Sequence, residues 1–321
     1  MKHNLDYINT QLEKIRKNNI YRKINYVGIT GPYISINSKK LINLSSNDYL
    51  GIKSPKIQSG QNQSSSRLVS GNVESFQILE NKLAKHKSQE ASLIFPTGYM
   101  ANLGVIASII GKNDLVISDE LNHVSIIEAC KLSGAKISIF RHNDMNDLSS
   151  KTKEKGKRKF IITEGVFSMD GDFSNLEMIS EISQKNVIEL CINNSKSFIY
   201  TSALPELFVD DANKRFDSDR ETKRKKLWKN VKIFSSELKK IGYELKSNSH
   251  IIPIIIGKEK TAVEFSSYLF KNGIYAQAIR YPTVPYNKAR IRMSITSRLT
   301  RKHITNIIDI LEKAKRKFQI L

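Results

Sequence analysis

Two cysteines, Cys130 and Cys191, are all that the chain contains, which excludes a disulfide framework and a cysteine-rich metal centre and leaves both as small core residues. Long apolar runs are missing as well. No stretch approaches the roughly 20 consecutive apolar residues that span a bilayer, so no membrane segment is expected. The start, MKHNLDYINTQLEKIRKNN, has no apolar signal region and carries acidic residues, and a cytoplasmic protein is the expectation. Acidic residues are scarce, 31 Asp and Glu against 52 Lys and Arg, giving a net charge of +21. Clustered cations of that number point to nucleic acid or an anionic membrane. Here the lysines are scattered, and the densest run, KRKK at 223–226, precedes Leu227, Val231, Phe234, Leu238 and Ile241 at helical spacing, which puts the charges on the solvated face. Neither nucleic acid nor membrane is expected as a partner.

What is present is a repeating pattern. At 321 residues the chain holds one large or two ordinary domains. Leu5 to about Lys23 reads as an amphipathic helix, followed by two short strands at Tyr33–Ile36 and Lys40–Asn43 and a polar loop, SSNDYLG. A helix follows over Glu74–His86. Strand and helix then alternate: Ala91–Phe95 strand, Thr97–Ile110 helix, Leu115–Ser118 strand, Val124–Leu132 helix, Lys136–Phe140 and Phe160–Thr163 strands, Leu176–Ser183 helix. Such alternation predicts an α/β fold with a mainly parallel sheet. From Asp219 the register changes to a long helix ending near Gly242, strands at Ile251–Ile256, Ile274–Ile279 and Arg290–Ile295, and helices at Thr261–Asn272 and Thr300–Phe318, a smaller α+β unit. The expected organisation is an N-terminal arm (1–45), a large domain (46–205) and a C-terminal domain (206–321).

Four stretches could carry chemistry, and each has two readings. TEGVFSMDGD, Thr163–Asp172, lies at the end of a parallel strand, where open α/β sheets bind ligands; it is equally an Asp-Gly turn. Pro96-Thr97-Gly98-Tyr99 opens a helix whose N-terminus favours phosphate, or Thr97 is only an N-cap. His123 stands where a helix starts, able to stack on a ligand or simply to cap. Arg290 and Arg292 share one face of a strand and form either a two-point carboxylate clamp or an exposed sheet face.

Taken in order, SSNDYLG, SRLVSG, FPTGYMAN, LNHVSIIEA, FRHND, TEGVFSMDGD, SFIYTSALP and AIRYPTVPYNKARIRMSIT resemble the α-oxoamine synthases, pyridoxal-phosphate enzymes of fold type I. The resemblance implies a mainly parallel sheet in a large domain plus a small C-terminal α+β domain, a homodimer with sites at its interface, and pyridoxal 5′-phosphate as cofactor. It implies that Gly98 and Tyr99 hold the cofactor phosphate, His123 stacks on its ring, and Ser168 sits near its phenolic oxygen, with Thr201 and Ser202 reaching a neighbouring subunit's phosphate. Asn47 and Arg292 would receive the amino-acid carboxylate, and Arg22 and Thr283 the acyl end. IRYPTVP and RHND favour the biotin-pathway member, which joins L-alanine to pimeloyl-CoA or a pimeloyl carrier protein with loss of carbon dioxide.

The same resemblance exposes a departure. The family's Asp-Asp-Ala-His strand, Gly-rich loop and Ser/Thr-x-Ser-Lys strand have no counterpart; SEISQK, ending at Lys185, runs directly into NVIELC. With those residues go the partner of the pyridine nitrogen and the Schiff-base lysine, so covalent cofactor attachment and full catalysis are not expected. Lys196, in NNSKSF, has a similar look but matches a basic residue just before the family's Phe-Ile-Tyr-Thr strand and reads as a helix-end cation. A truncated large domain, near 185, would carry open strand edges and suit a non-catalytic partner of an intact homologue.

Overall fold

The computed structural model describes residues 3–22, 24–53, 65–175 and 185–320. The chain divides into two compact units. A terminal unit takes Met1–Ile52, Ser168–Asp172 and Asp219–Leu321, and a central unit takes Lys53–Phe167 and Phe173–Ser218.

The terminal unit begins with helix α1 (His3–Lys17) and three antiparallel strands, β1 (Gly28–Thr30), β2 (Tyr33–Ile36) and β3 (Lys39–Asn43). Burial alternates along β2, Ile34 and Ile36 facing inward and Ser35 outward, as a half-buried strand requires.

In the central unit a single π-helical turn, Arg67–Gly71, leads into α2 (Glu74–His86). The alternation then follows as α3 (Gly98–Ile109), β4 (Leu115–Asp119), α4 (Val124–Ser133), β5 (Lys136–Phe140), α5 (Met145–Lys151) and β6 (Lys159–Ile162). Side chains fix the helix starts: Thr97 accepts from Met100 N at 3.1 Å, the His123 ring from Ser125 N at 3.2 Å, and Asp144 from Asn146 N and Asp147 N. Gly134, at φ 71°, ends α4 in the left-handed conformation that its lack of Cβ permits. The sheet is parallel, in order β5-β4-β6, with β4 buried along its whole length. The chain continues through α6 (Lys185–Asn194), the four-residue α7 (Lys196–Ile199) and α8 (Glu206–Phe216).

The terminal unit resumes with α9 (Arg220–Lys240), β7 (Ile251–Gly257), α10 (Glu259–Lys271), the two-residue strands β8 (Ile274–Tyr275) and β9 (Ala278–Ile279), β10 (Ala289–Ser294) and α11 (Arg301–Phe318). Antiparallel β7-β10-β9 carries one large core in which Leu227, Phe234, Phe265, Ile291, Met293 and Leu311 are fully or nearly buried. Thr300 and His303 close a reciprocal capping box on α11. β8 joins β3 in parallel, tying the N-terminal hairpin to this unit.

Several expectations need correction. The apolar run Ala91–Phe95 is not a strand. Its main chain is met by side chains instead of a ladder: Ile94 N donates to Glu80 Oε1 at 2.8 Å, and Arg67 donates to Ile94 O at 3.1 Å. The strand expected over Ile274–Ile279 is broken into β8 and β9. Phe198 and Ile199 lie in a helix where the resemblance gave a strand, and Lys196 opens that helix beyond the end of α6. α5 and α8 were not foreseen. The helix expected over Leu176–Ser183 lies outside the described residues. Arg290 is not on an exposed face: it is buried, 6% exposed.

The core of the central unit is divided. Phe76, Leu79, Ala203 and Val209 form one cluster, Ile110, Val116, Ile126 and Cys130 another, and Leu115, Ile117, Phe140 and Leu148 a third. Among the described residues β5 and β6 each pair on one side only, and Ile139 and Ile161 on them are exposed. No helix among the described residues is long and apolar enough to cross a membrane.

Arg67 therefore bears unusual weight. Its guanidinium pairs in two-pronged fashion with Glu80 at 2.6 and 3.1 Å, lies over the Phe76 ring, and is 8% exposed. Removing one partner of a buried pair leaves the other charge uncompensated. Arg67→Ala should destabilise the central unit by roughly 3–5 kcal/mol, read as a lower urea midpoint, and Arg67→Met with Glu80→Leu should recover a large part of that loss.

Candidate functional site

In the central unit, the residues that open α3 and α4 face a common cleft of about 600 Å³ lined by Gly98, Tyr99, Asn102, His123, Ser125, Thr163 and Glu164 among others. It forms where β4 and β6 end and α3 and α4 begin, the location that parallel sheets give to ligands. Thr97 takes the Met100 N–H, while helix geometry leaves the N–H groups of Gly98 and Tyr99 without an intrahelical acceptor. A Cβ at Gly98 would meet nothing within 4 Å, so the approach to these groups is open. The His123 ring is exposed and held from behind, its Nδ1 bonded by Ser125 Oγ at 2.8 Å, and its plane stands at 80° to that of Tyr99. His123 caps α4, and the same residue lines the cleft.

Two carboxylates bond residues of the cleft, Glu164 from its lining and Glu128 through Tyr99. Tyr99 donates its hydroxyl to Glu128, which raises the tyrosine pKa chiefly through that hydrogen bond. Glu164 accepts from His123 N, and burial pushes its pKa up against the opposing pull of that N–H.

Thr201 and Ser202 line a different, small cavity with Arg67, Phe76 and Phe198; Ser202 bridges Ser66 in antiparallel fashion. The structure does not bring them to the Gly98 cleft.

The remaining candidates belong to the terminal unit. Arg290 donates to Met169 O at 3.2 Å and to the Asp170 carboxylate, and Arg292 Nε donates to Ser168 O at 2.7 Å. The two arginines thus clasp the main chain of the TEGVFSMDGD stretch, and its Ser168 is placed by its carbonyl. Arg292 further donates to Ser294 Oγ at 3.0 Å and to the Tyr49 hydroxyl at 3.1 Å. Tyr49 donates in turn to Asn47 Oδ1 at 3.0 Å, so Asn47 and Arg292 meet through a residue that sequence reasoning missed. All the acceptors on Arg292 are neutral. Its charge has no carboxylate partner among the described residues.

Arg22 and Thr283 are brought together directly, Arg22 donating to Thr283 Oγ1 at 3.3 Å. They line a second cleft, of about 580 Å³, with Tyr21, Gln277, Arg280 and Tyr281. Arg280, also missed, donates to the carbonyls of Asn19 and Tyr21; burial and the Arg22 charge lower its pKa. Its position in IRYPTVP was the available signal. No cluster of His, Cys, Asp or Glu able to hold a metal is found among the described residues.

A cleft with open main-chain donors at a helix start and an exposed imidazole face suits a phosphorylated aromatic ring. Among the described residues its lining contains no lysine. Comparison with known proteins agrees with this class. The aminotransferase class I and II family profile matches residues 39–191 and 182–311, and the chain belongs to that family. Within it, the chain is a homologue of the 8-amino-7-oxononanoate synthases: it is 34% identical to that of Thermoanaerobacter pseudethanolicus over 391 residues, with 99% of each chain covered. The 8-amino-7-oxononanoate synthase of Fervidobacterium nodosum is 31% identical, with 99% of this chain and all of the relative covered. Among solved structures, a Sphingomonas wittichii serine palmitoyltransferase superposes with a TM-score of 0.88 at 22% identity, 98% of each chain covered. An 8-amino-7-oxononanoate synthase from Francisella tularensis gives 0.72 at 22% identity, covering 88% of this chain and 99% of the other.

The raised pKa of Glu164 has a sign that can be measured. A carboxyl whose folded pKa lies above its unfolded value contributes stability below the unfolded pKa and loses it as pH rises through the folded one. Stability of the wild type should therefore fall as pH rises from the ordinary glutamate value toward the raised one. Glu164→Gln keeps an oxygen for His123 N and should remove that fall in pH-dependent urea denaturation.

Proposed function

We propose that this chain is an 8-amino-7-oxononanoate synthase homologue that retains binding surfaces for pyridoxal 5′-phosphate, an amino-acid carboxylate and an acyl thioester but does not complete catalysis. The carrying observation is the central cleft: open main-chain N–H groups and an imidazole ring line it, and among the described residues no lysine does. Two findings support a missing segment. The family profile matches in two pieces that overlap at 182–191, and the alignment to the Thermoanaerobacter relative runs over 391 residues although the chain has 321.

When bound, pyridoxal phosphate supplies an electron sink for the carbon bearing the amine. The chain's own residues bind and orient. Gly98 and Tyr99 N–H groups receive the phosphate, assisted by the α3 dipole, and the His123 face covers the ring, its Ser125 bond fixing the plane. Glu128 draws the Tyr99 hydroxyl aside, so the main chain is the principal anion donor there. Asn47 and Arg292 receive the carboxylate of L-alanine. Arg22, Thr283 and Arg280 receive the acyl end of a pimeloyl thioester, whether on CoA or a carrier protein, two cations answering its anionic groups. Ser168 contributes near the ring, and Thr201 and Ser202 serve a neighbouring subunit in a cytoplasmic homodimer.

The open edges at β5 and β6 favour a second reading, in which the chain pairs with an intact homologue as a non-catalytic subunit. Exposed Ile139 and Ile161 mark those strands.

Borohydride treatment of the purified chain with pyridoxal phosphate should leave no reduced lysine adduct in peptide mass mapping, while equilibrium dialysis should show reversible cofactor binding weakened about tenfold or more by Gly98→Asp. An adduct on Lys196 would overturn the non-catalytic reading. With L-alanine and pimeloyl-CoA the chain alone should release no carbon dioxide. Activity of an intact homologue that rises on adding this chain would establish the subunit role.

A further inference from the structure

The Tyr49 hydroxyl touches both members of the carboxylate pair in the terminal unit. It donates to Asn47 Oδ1 at 3.0 Å and accepts from Arg292 Nη2 at 3.1 Å. A primary amide whose oxygen is engaged turns its NH₂ outward as a donor. An arginine has five N–H donors; Arg292 makes three bonds, to Ser168 O, Ser294 Oγ and Tyr49, and two of its N–H groups have no acceptor among the described residues. One phenol therefore sets both partners in the donor orientation that an incoming carboxylate needs. Were the hydroxyl absent, the Asn47 amide would be free to turn and present its oxygen, which repels a carboxylate.

Tyr49 is itself held. Its ring packs against His250 with centroids 4.0 Å apart at 61°, and the main chain is fixed by Ser297 N donating to Tyr49 O at 2.8 Å. His250 Nε2 is buried and has no hydrogen-bond partner among the described residues. A buried imidazole nitrogen left unbonded is costly, and its ring is used here as a wall against Tyr49.

We infer that Tyr49 is a positioning residue that orders Asn47 and Arg292 for a small α-amino carboxylate such as L-alanine. This rests on the reading that those two residues receive that carboxylate, and two measurements on the full chain separate the claims. The first needs no ligand: the Arg292 Nη2–H resonance, assigned by its loss in Arg292→Lys, is followed by nitrogen-proton NMR. Tyr49→Phe should shift it and speed its hydrogen exchange at least about fivefold, while Tyr26→Phe, at a fully exposed tyrosine, should not. An unchanged resonance overturns the inference whatever the ligand does. The second is titration of L-alanine and of L-alaninamide into the full chain with pyridoxal phosphate. Loss of a hydrogen bond to a charged group corresponds to roughly tenfold or more in affinity. Tyr49→Phe should lose that factor for L-alanine and change L-alaninamide less than about twofold. Adding Asn47→Ala to Tyr49→Phe should cost little further, because the two act as one unit. Equal losses for both ligands, or additive losses in the double variant, overturn the positioning role. Failure of the wild type to prefer L-alanine over its amide, with the NMR result intact, would refute the assignment of the ligand and not the ordering of the pair.

Discussion

Two arginines on one strand govern what the terminal unit can do. Arg290 and Arg292 alternate with Ile291 and Met293, so β10 buries two apolar side chains in the core and directs two guanidinium groups to the main chain of Ser168 and Met169 and to the carboxylate of Asp170. The charges are not equivalent. Arg290 meets Asp170 and is neutralised; among the described residues Arg292 meets carbonyl and hydroxyl oxygens alone. The first is committed to structure, and the second keeps an uncompensated charge that can be answered by an anion. A segment from the middle of the sequence is thereby bound into a unit otherwise built from the two ends of the chain.

The central unit shows how a sheet manages with few strands. Backbone groups must find partners once water is excluded, and the Ala91–Phe95 segment finds them in Glu80 and Arg67. That solution replaces a cooperative ladder with a single ion pair, and it accompanies a core divided into small clusters. The cleft survives because its parts are local. Helix starts, caps and the ends of β4 and β6 need only the strands that are present.

Much of this was legible in the sequence, for a definable reason. Helices such as Glu74–His86 and Arg220–Lys240 announce themselves through periodic apolar positions, and the motif order carried the family. What failed depended on partners. An apolar run like Ala91–Phe95 reads as a strand because periodicity cannot report whether a neighbouring strand exists. Phe198 and Ile199 took helical form for similar contextual reasons, and α5 and α8 are too short or too polar to stand out. Burial of Arg290 and the bridging role of Tyr49 arise from contacts between residues more than a hundred positions apart. The resemblance assigns Arg22 and Thr283 separately to the acyl end, and their hydrogen bond to each other could not be read from the sequence.

Gly104 in α3 is pressed against the segment that follows residue 185: a Cβ there would come within 2.0 Å of Ser195 Oγ and 2.5 Å of Ser197 Oγ, and Ser197 also bonds Met100 O at 2.6 Å. This docking depends on side chains at each end of the intervening stretch and not on its length. Closing a loop costs only about 0.6 kcal/mol more for each doubling of its residues. α3 and the Ser195–Ser197 turn form a fixed seam, so the chain between them tolerates insertion without renegotiating the packing on either side.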